Sequence, residues 1–264
     1  MKPIFLVMAL VFACMSAVAA EEPEFPGREV FVNVDPIELK ELAAIYDQAL
    51  IIDARSAFEY DTLHIKGAKH LSFDDDAFAQ KLRKLRESHP DQPVIFYCNG
   101  RTCFKSYKAA ERARAAGVEN VRAFDAGVFA WVRAHPDKSV LLGKSPVEAD
   151  ALISSEQLAG RMLSPREFAA EVSQGNPLVL DIRGRRQRDG VGLFMFKERN
   201  ISMDERQRLT KFLAEAKVSN RPLLVYDMAG KQVRWLQYYL EDMGLQNYAF
   251  MQGGVKAFFD EVIR

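Results

Sequence analysis

The sequence contains little cysteine, little histidine and no surplus of either charge. Three cysteines in 264 residues are too few for the disulfide framework of a small secreted domain. The four histidines, at positions 64, 70, 89 and 135, have no metal-ligand spacing, so we expect no metal and no cofactor. Lysine and arginine number 36, as do aspartate and glutamate. This balance gives no support for nucleic-acid binding, which needs positive charge to neutralise phosphates.

The amino terminus carries a short apolar run. Lys2 precedes an apolar stretch from Ile4 to Met15, and small residues then lead to an acidic boundary. This pattern is typical of a secretory signal peptide, and the stretch is too short to span a membrane comfortably. We predict a signal peptide over residues 1–20 and a periplasmic or secreted protein with no membrane span after cleavage. Two alternatives stay open: an uncleaved anchor, and a lipoprotein that carries its lipid on Cys14.

The rest of the chain is interpreted as two copies of one α/β unit. Corresponding positions recur after 127 to 129 residues, as with Asp53 and Asp181 or Gly117 and Gly244. A fixed period of this kind indicates an internal duplication. In each copy, short apolar strands alternate with helices, which is typical of a parallel sheet covered by helices on both faces. The predicted fold class is therefore α/β, with two domains that each contain a parallel sheet flanked by helices.

The predicted domain boundaries follow from this repeat. Domain 1 spans residues 28–142, a linker spans 143–162, and domain 2 spans 163–264. The linker belongs to neither copy, and its start contains the proline, glycine and serine that are typical of connecting segments.

Cys98 carries the strongest functional signal, because it lies where a short apolar strand stops and a helix begins. The strand covers Val94 to Tyr97, and ligands bind at the carboxyl ends of strands in such sheets. Backbone N–H groups of a tight loop and of the helix start would point at its sulfur, and Arg101 and Lys105 stand nearby. We therefore expect a thiol that is presented rather than packed, with the thiolate favoured.

Several motifs in a consistent order resemble the rhodanese family. The first copy carries Asp-x-Arg at 53–55, His-Ile-x-Gly-Ala at 64–68, Tyr-Cys-Asn-Gly at 97–100 and Gly-x-x-x-Trp at 127–131. The second copy carries Asp-x-Arg at 181–183 and a Gly-Gly pair. The resemblance covers nearly the whole chain after the signal peptide and implies two rhodanese-like domains.

The resemblance implies a sulfurtransferase of the thiosulfate sulfurtransferase type. Cys98 would take sulfane sulfur from a donor such as thiosulfate, hold it as a persulfide and pass it to cyanide or a thiol. The implied partners are a small sulfur-containing anion or thiol, and a sulfur-acceptor protein is a further candidate. Asp53 and Arg55 would support the loop structurally. The implied substrate-binding residues of the loop are Asn99, Gly100, Arg101, Thr102, Cys103 and Lys105.

Two departures from the family pattern affect this prediction. Cys103 occupies a loop position that is rarely cysteine, and it resembles the Cys-Asn-Gly-x-x-Cys variant of exported rhodanese-like proteins. Asp227 stands where domain 2 would carry its nucleophile. Because aspartate cannot become a persulfide, domain 2 is predicted to be non-catalytic. The alternatives to a sulfurtransferase are a non-enzymatic binding or regulatory module, and a thiol-redox protein that uses Cys98 and Cys103.

Overall fold

The computed structural model, which describes residues 24–188, 192–219 and 221–263, contains two parallel sheets flanked by helices and a small antiparallel sheet of two strands, Leu63–Ile65 and Ser139–Leu141. The predicted signal peptide and Cys14 lie outside the described residues. The strands are β1 (Leu50–Asp53), β2 (Leu63–Ile65), β3 (Lys69–His70), β4 (Val94–Tyr97), β5 (Val121–Phe124), β6 (Ser139–Leu141), β7 (Met162–Leu163), β8 (Leu178–Asp181), β9 (Glu198–Asn200), β10 (Leu223–Tyr226) and β11 (Tyr248–Met251).

The helices cover both faces of the sheets and connect successive strands. They are α1 (Pro26–Val30), α2 (Leu39–Ala44), α3 (Ala57–Thr62), α4 (Phe78–Glu87), α5 (Lys105–Ala115), α6 (Gly127–Ala134), α7 (Ser155–Ala159), α8 (Pro165–Gln174), α9 (Arg206–Ser219), α10 (Val233–Asp242) and α11 (Gly254–Phe258). Within the described ranges, none of them is both long and apolar enough to cross a lipid bilayer.

The first sheet has the strand order β3-β1-β4-β5, and every neighbouring pair is parallel. Strands β1 and β4 are fully buried, because helices cover both faces of a parallel sheet and its strands become continuous apolar runs. Strand β4 lies inside the sheet, between β1 and β5. Its carboxyl end therefore opens onto the rim where ligands bind in such folds.

The second sheet has the order β7-β11-β10-β8-β9 and is also parallel throughout. Its edge strand β7 begins at Met162, so the last residue of the predicted linker already pairs with β11. The α/β fold class with parallel sheets flanked by helices is confirmed. The predicted domain boundaries and the tandem duplication stay predictions.

The two halves of the chain share one apolar core. Phe129 stacks on Trp235 with ring centroids 5.3 Å apart, and Phe58 contacts Tyr239 at 4.7 Å. The largest buried cluster contains residues from both sheets. Side chains of the second half therefore reach the scaffold of the first.

The start of α2 differs from the sequence pattern, which predicts a helix capped by Asp35 with Pro36 at its first position. The helix begins at Leu39 instead. Ile37 donates its N–H to the carbonyl of Ala123, and Ala123 donates to that of Asp35. This segment is therefore held in extended form beside β5, a tertiary contact that local capping signals do not reveal.

Candidate functional site

A loop of seven residues, 98–104, connects the interior strand β4 to helix α5. Cys98 is its first residue and directly follows Tyr97, the last residue of β4. The next element starts at Lys105. The predicted strand–loop–helix corner is present, and it lies at the carboxyl rim of the first sheet.

Helix α6 packs directly beneath this loop. Val128 donates its N–H to the carbonyl oxygen of Cys98 at 2.9 Å. Gly127 has φ +72, and a Cβ at this position would collide with the backbone of Asn99 and Gly100. Glycine is required here both for its backbone conformation and for the close approach of the loop. This contact fixes where the Cys98 sulfur lies.

The thiol of Cys98 is packed rather than presented, which makes the expectation from the sequence wrong on this point. Its side chain is fully buried. Its Sγ donates a hydrogen bond to the carbonyl oxygen of Cys103 at 2.9 Å and lies 3.5 Å from the hydroxyl of Ser106. Burial raises the pKa of Cys98 well above its usual range, because the charged form loses its solvation. The resting group is therefore the neutral thiol.

Cys103 has the opposite electrostatic character. Its side chain is partly exposed, and a hydrogen bond from the Cys98 side chain is the largest influence that lowers its pKa, to about 6. Hydrogen bonds from the backbone N–H groups of Asn99 and Lys105, and the charge of Lys105, act in the same direction. Within the pair, Cys103 therefore loses its proton more readily than Cys98.

Asp53 and Arg55 form a buried brace behind the loop. The Arg55 guanidinium donates to the Asp53 carboxylate through Nε at 2.9 Å and Nη2 at 2.5 Å, and both side chains are completely buried. Nη1 of Arg55 also donates to Oδ1 of Asn99 at 3.2 Å. Asn99 thus turns its side chain towards the scaffold, where it positions the loop.

Glu59 is a site residue to which the sequence analysis assigned no role, although Glu59-Tyr60 resembles the Glu-Tyr/Phe part of the family signature. Its carboxylate accepts a hydrogen bond from Nδ2 of Asn99 at 2.9 Å and lies 3.9 Å from the ammonium of Lys105. Its burial acts to raise the pKa, but the charges of Lys105 and Arg55 and these hydrogen bonds outweigh burial and lower it. The usable signal is Ser56 three residues earlier, which forms a capping box with Glu59 at the start of α3.

The middle of the loop lies at the protein surface. Arg101 and Thr102 are exposed, and the Arg101 guanidinium pairs with Glu24 at 3.3 Å on the surface. Gly100 adopts φ +154. Of the residues predicted to bind substrate, the structure brings Cys103 to the buried thiol and the backbone of Asn99 and Lys105 to Cys103, and it pairs Arg101 with a surface carboxylate.

The second half of the chain contributes to the surroundings of the loop. The Trp235 ring lies 5.0 Å from the guanidinium carbon of Arg55, in cation–π contact. A cleft of about 680 Å³ lies between the halves, with Lys105 and His70 on one wall and Arg185 and Gln232 on the other. Through Lys105, this cleft adjoins the loop on its solvent side.

Asp227 occupies the equivalent corner after β10. The N–H of Val255 donates to its carbonyl at 2.9 Å, as that of Val128 does to the carbonyl of Cys98. The buried Asp227 carboxylate accepts hydrogen bonds from the backbone N–H groups of Ala229, Gly230, Gln232 and Val233. An aspartate side chain therefore fills the anion-binding cradle of this second loop.

We expect Asp227→Ala to lower the free energy of unfolding by about 2–4 kcal/mol, because four buried or part-buried backbone N–H groups lose their acceptor. Any sulfur transfer at Cys98 should change by less than about twofold, since Asp227 lies at the other corner. Thermal or urea unfolding and a thiocyanate assay would measure both quantities. The exposed helix residue Glu215 supplies a matched control, because Glu215→Ala should alter stability by less than about 0.5 kcal/mol. A large loss of activity at unchanged stability would mean that Asp227 shapes the Cys98 site.

No group of three or more histidine, cysteine, aspartate or glutamate side chains in the described part of the chain is arranged to hold a metal ion. The reactive groups at the loop are the two thiols and the charged side chains around them. The arrangement offers a buried sulfur nucleophile, an adjacent thiolate that can accept its proton, and a lysine beside the entrance.

Strand, loop and helix together define an α/β protein with a cysteine corner at the rim of a parallel sheet. Residues 35–134 match the sequence model of the Rhodanese-like domain family. This match includes the brace, the loop and helix α6, so a rhodanese-like domain lies in the first half of the chain.

Solved structures with a similar fold include proteins from several bacteria. A thiosulfate sulfurtransferase from Pseudomonas aeruginosa has 15% identity and a TM-score of 0.38, with 85% of this chain and 42% of that chain covered. A Bacillus halodurans protein has 17% identity and a TM-score of 0.37, covering 46% and 87%. The rhodanese-like domain of an Anabaena protein has 21% identity and a TM-score of 0.33, covering 43% and 84%.

Proposed function

We propose that this protein is a sulfurtransferase that moves sulfane sulfur from a donor such as thiosulfate to cyanide or a thiol through a persulfide on Cys98. The observation that carries the proposal is the placement of the Cys98 thiol at the carboxyl end of β4 and before α5, with its Sγ 2.9 Å from the carbonyl oxygen of Cys103 in the same loop. The match of residues 35–134 to the rhodanese-like domain supports this class of function.

The first step is attack of Cys98 on the donor. Cys103 accepts the Cys98 proton as the Sγ electron pair of Cys98 forms a bond to the sulfane sulfur of thiosulfate. The S–S bond of thiosulfate breaks, and its electron pair leaves with sulfite. Cys98 then carries a persulfide, and Cys103 carries the proton. A general base in hydrogen-bond contact removes the disadvantage of a buried, protonated nucleophile.

In the second step the sulfur leaves for an acceptor. Cyanide, or a thiolate, attacks the outer sulfur of the persulfide, and the electron pair of the S–S bond returns to Cys98. The Cys98 sulfur recovers the proton from Cys103, which restores the starting pair. The hydroxyl and backbone N–H of Ser106 face the Cys98 sulfur and favour its charged form while the proton is absent.

Positive charge beside the cleft suits an anionic donor. The Lys105 side chain is one-third exposed and pairs with Glu59 and Asp74 only at 3.9 Å. It therefore has room to approach a thiosulfate dianion near Cys103. Arg185 lies on the opposite wall, but Asp74, Asp75 and Asp204 also line the cleft. The charge that suits an anionic donor is therefore that of Lys105 beside the loop, not that of the cleft as a whole.

We expect Lys105→Gln to raise the KM for thiosulfate roughly three- to tenfold, because one charge contact to the donor is lost. The pKa of Cys103 should also rise, since the Lys105 charge helps to lower it. Steady-state kinetics and the pH dependence of Cys103 alkylation measure the two effects. Lys108→Gln changes an exposed lysine in the same helix and should leave both quantities unaltered. Equal effects of the two substitutions would contradict the assigned role of Lys105.

Thiocyanate formation from thiosulfate and excess cyanide is the direct test of the proposed activity. Purified protein should produce thiocyanate catalytically, and sulfite should appear in equal amount. If no sulfane donor supports turnover and no sulfur is transferred to the protein, the non-enzymatic binding or regulatory module is favoured. Loss of both thiols on mild oxidation, without any sulfur uptake, would favour the thiol-redox protein.

Two further parts of the proposal concern location and the second half of the chain. We propose export to the periplasm or the outside of the cell, on the signal-peptide pattern of residues 1–20. We also propose that the second half is a non-catalytic rhodanese-like domain, because Asp227 fills its loop and cannot carry sulfur. The contact of Trp235 with Arg55 supports a role for this half in holding the catalytic loop.

A further inference from the structure

Two cysteines with different environments lie next to each other inside one loop. Cys98 is fully buried, whereas Cys103 is partly exposed. The Cys98 sulfur lies 2.9 Å from the carbonyl oxygen of Cys103, so the two residues are in direct contact. Sulfur transfer to an outside acceptor uses only Cys98 as the sulfur carrier. In that reaction Cys103 has no role beyond proton transfer.

We infer that Cys103 is a second catalytic residue that attacks the Cys98 persulfide, releases its outer sulfur as hydrosulfide and leaves a Cys98–Cys103 disulfide. This inference rests on the proposed function, because it requires the persulfide. It gives the protein a second activity, which is reductive cleavage of a sulfane-sulfur donor to hydrosulfide.

The step balances without an outside oxidant. The Cys103 sulfur forms a bond to the inner sulfur of the persulfide, which is Sγ of Cys98. The bond between the inner and outer sulfur breaks, and its electron pair leaves with the outer sulfur. The Cys103 proton, taken from Cys98 in the first step, goes to that leaving sulfur and gives hydrosulfide. The two cysteine sulfurs are oxidised to the disulfide, and the sulfane sulfur is reduced.

Burial favours this internal route over attack by a large acceptor. The Cys98 side chain is fully buried and its sulfur lies 3.5 Å from the hydroxyl of Ser106, so a bulky thiol reaches it poorly. Cys103 is already in contact and needs no diffusion, which is the advantage of an intramolecular nucleophile. The backbone N–H groups of Asn99 and Lys105 point at the Cys103 sulfur and hold it in place.

Repeated turnover requires a dithiol reductant to reopen the disulfide. A dithiol attacks the partly exposed Cys103 sulfur, and a second thiol of the same reductant then releases it. The overall reaction converts thiosulfate and a dithiol into sulfite, hydrosulfide and an oxidised dithiol. A small acceptor such as cyanide competes with Cys103 for the same persulfide.

A single-turnover experiment on the full chain tests this inference. Reduced protein is freed of reductant and incubated anaerobically with thiosulfate, with neither cyanide nor another thiol present. We expect about one sulfite and one hydrosulfide per protein, and peptide mapping should find Cys98 joined to Cys103. Peptide mapping also distinguishes a Cys98–Cys103 disulfide from one that involves Cys14. Added dithiothreitol should then support continuous hydrosulfide release.

Cys103→Ser is the matched variant, because it keeps the size of the side chain but cannot form the disulfide. This variant lacks the base, so it is incubated for longer at alkaline pH, where hydroxide can deprotonate Cys98. It should then hold sulfur on Cys98 and release no hydrosulfide. If wild-type protein instead keeps a stable persulfide with Cys103 still reduced, the inference is wrong while the proposed function stands. If neither protein takes up sulfur or releases sulfite, both are wrong.

Discussion

Replacing Cys98 with serine is expected to reduce thiocyanate formation by roughly a thousandfold or more, to the background of the assay. A hydroxyl does not displace sulfite from thiosulfate to hold sulfane sulfur, and it leaves no persulfide for cyanide to attack. Serine fits the same buried space and still hydrogen-bonds to the carbonyl oxygen of Cys103 and to Ser106. The loss should therefore appear in kcat and not in the thermal unfolding midpoint.

Cys103→Ser provides the comparison for this result, since it makes the same chemical change five positions later. It removes the base but leaves the sulfur carrier, so at neutral pH the rate should fall by about ten- to a hundredfold. Raising the pH should recover part of that loss, because Cys98 can then ionise without help. Activity that survives in Cys98→Ser would show that another group carries the sulfur.

Alkylation is expected to label Cys103 before Cys98, by roughly a hundredfold in rate at neutral pH. The lowered pKa of Cys103, about 6, makes it a thiolate at pH 7, and its side chain is partly exposed. Cys98 is buried, and its pKa is raised well above the usual range of a thiol. Its fraction of thiolate is therefore very small. Mass spectrometry of peptides after timed exposure to iodoacetamide gives both rates.

The rate of Cys103 alkylation should also depend on pH. Alkylation of Cys103 should fall as the pH decreases through about 6, because the thiolate then takes up a proton. In Cys103→Ser, the remaining Cys98 should react slowly across the neutral range. Faster labelling of Cys98 than of Cys103 in wild-type protein would contradict the proposed distribution of charge within the pair.

The corner that holds Cys98 could be predicted from the sequence, whereas the ionisation state of its thiol could not. Apolar runs mark β4 and β1, and their bounds agree with the structure, because buried parallel strands are continuous apolar segments. The pKa of Cys98 depends first on the burial of its side chain in the folded loop, and helix α6 packs beneath that loop. That packing involves Gly127, which lies 29 positions later in the sequence, so local loop chemistry gives the wrong direction.

Among the contacts that support the loop, some could be predicted from the sequence and others could not. Asp53 and Arg55 are two positions apart, and their pairing follows from a local motif. Glu59 and Trp235 reach the loop only through tertiary structure: the first binds Asn99 from helix α3, and the second packs on Arg55 from helix α10. A single sequence contains no signal that joins Trp235 to the loop, because the contact crosses between the two sheets.

The sequence also locates the second corner, but not the hydrogen bonds that hold its loop. The predicted period aligns Asp227 with Cys98. The four backbone hydrogen bonds that the Asp227 carboxylate accepts are visible only in the folded loop.

The most direct test of the central claim is the mass of the Cys98 peptide after the Cys103→Ser protein is incubated with thiosulfate at alkaline pH. The persulfide then has no neighbouring sulfur to displace it. The account predicts a gain of one sulfur atom on Cys98, removed by cyanide with an equal yield of thiocyanate. An unchanged Cys98 peptide, or sulfur found on another residue, would contradict it.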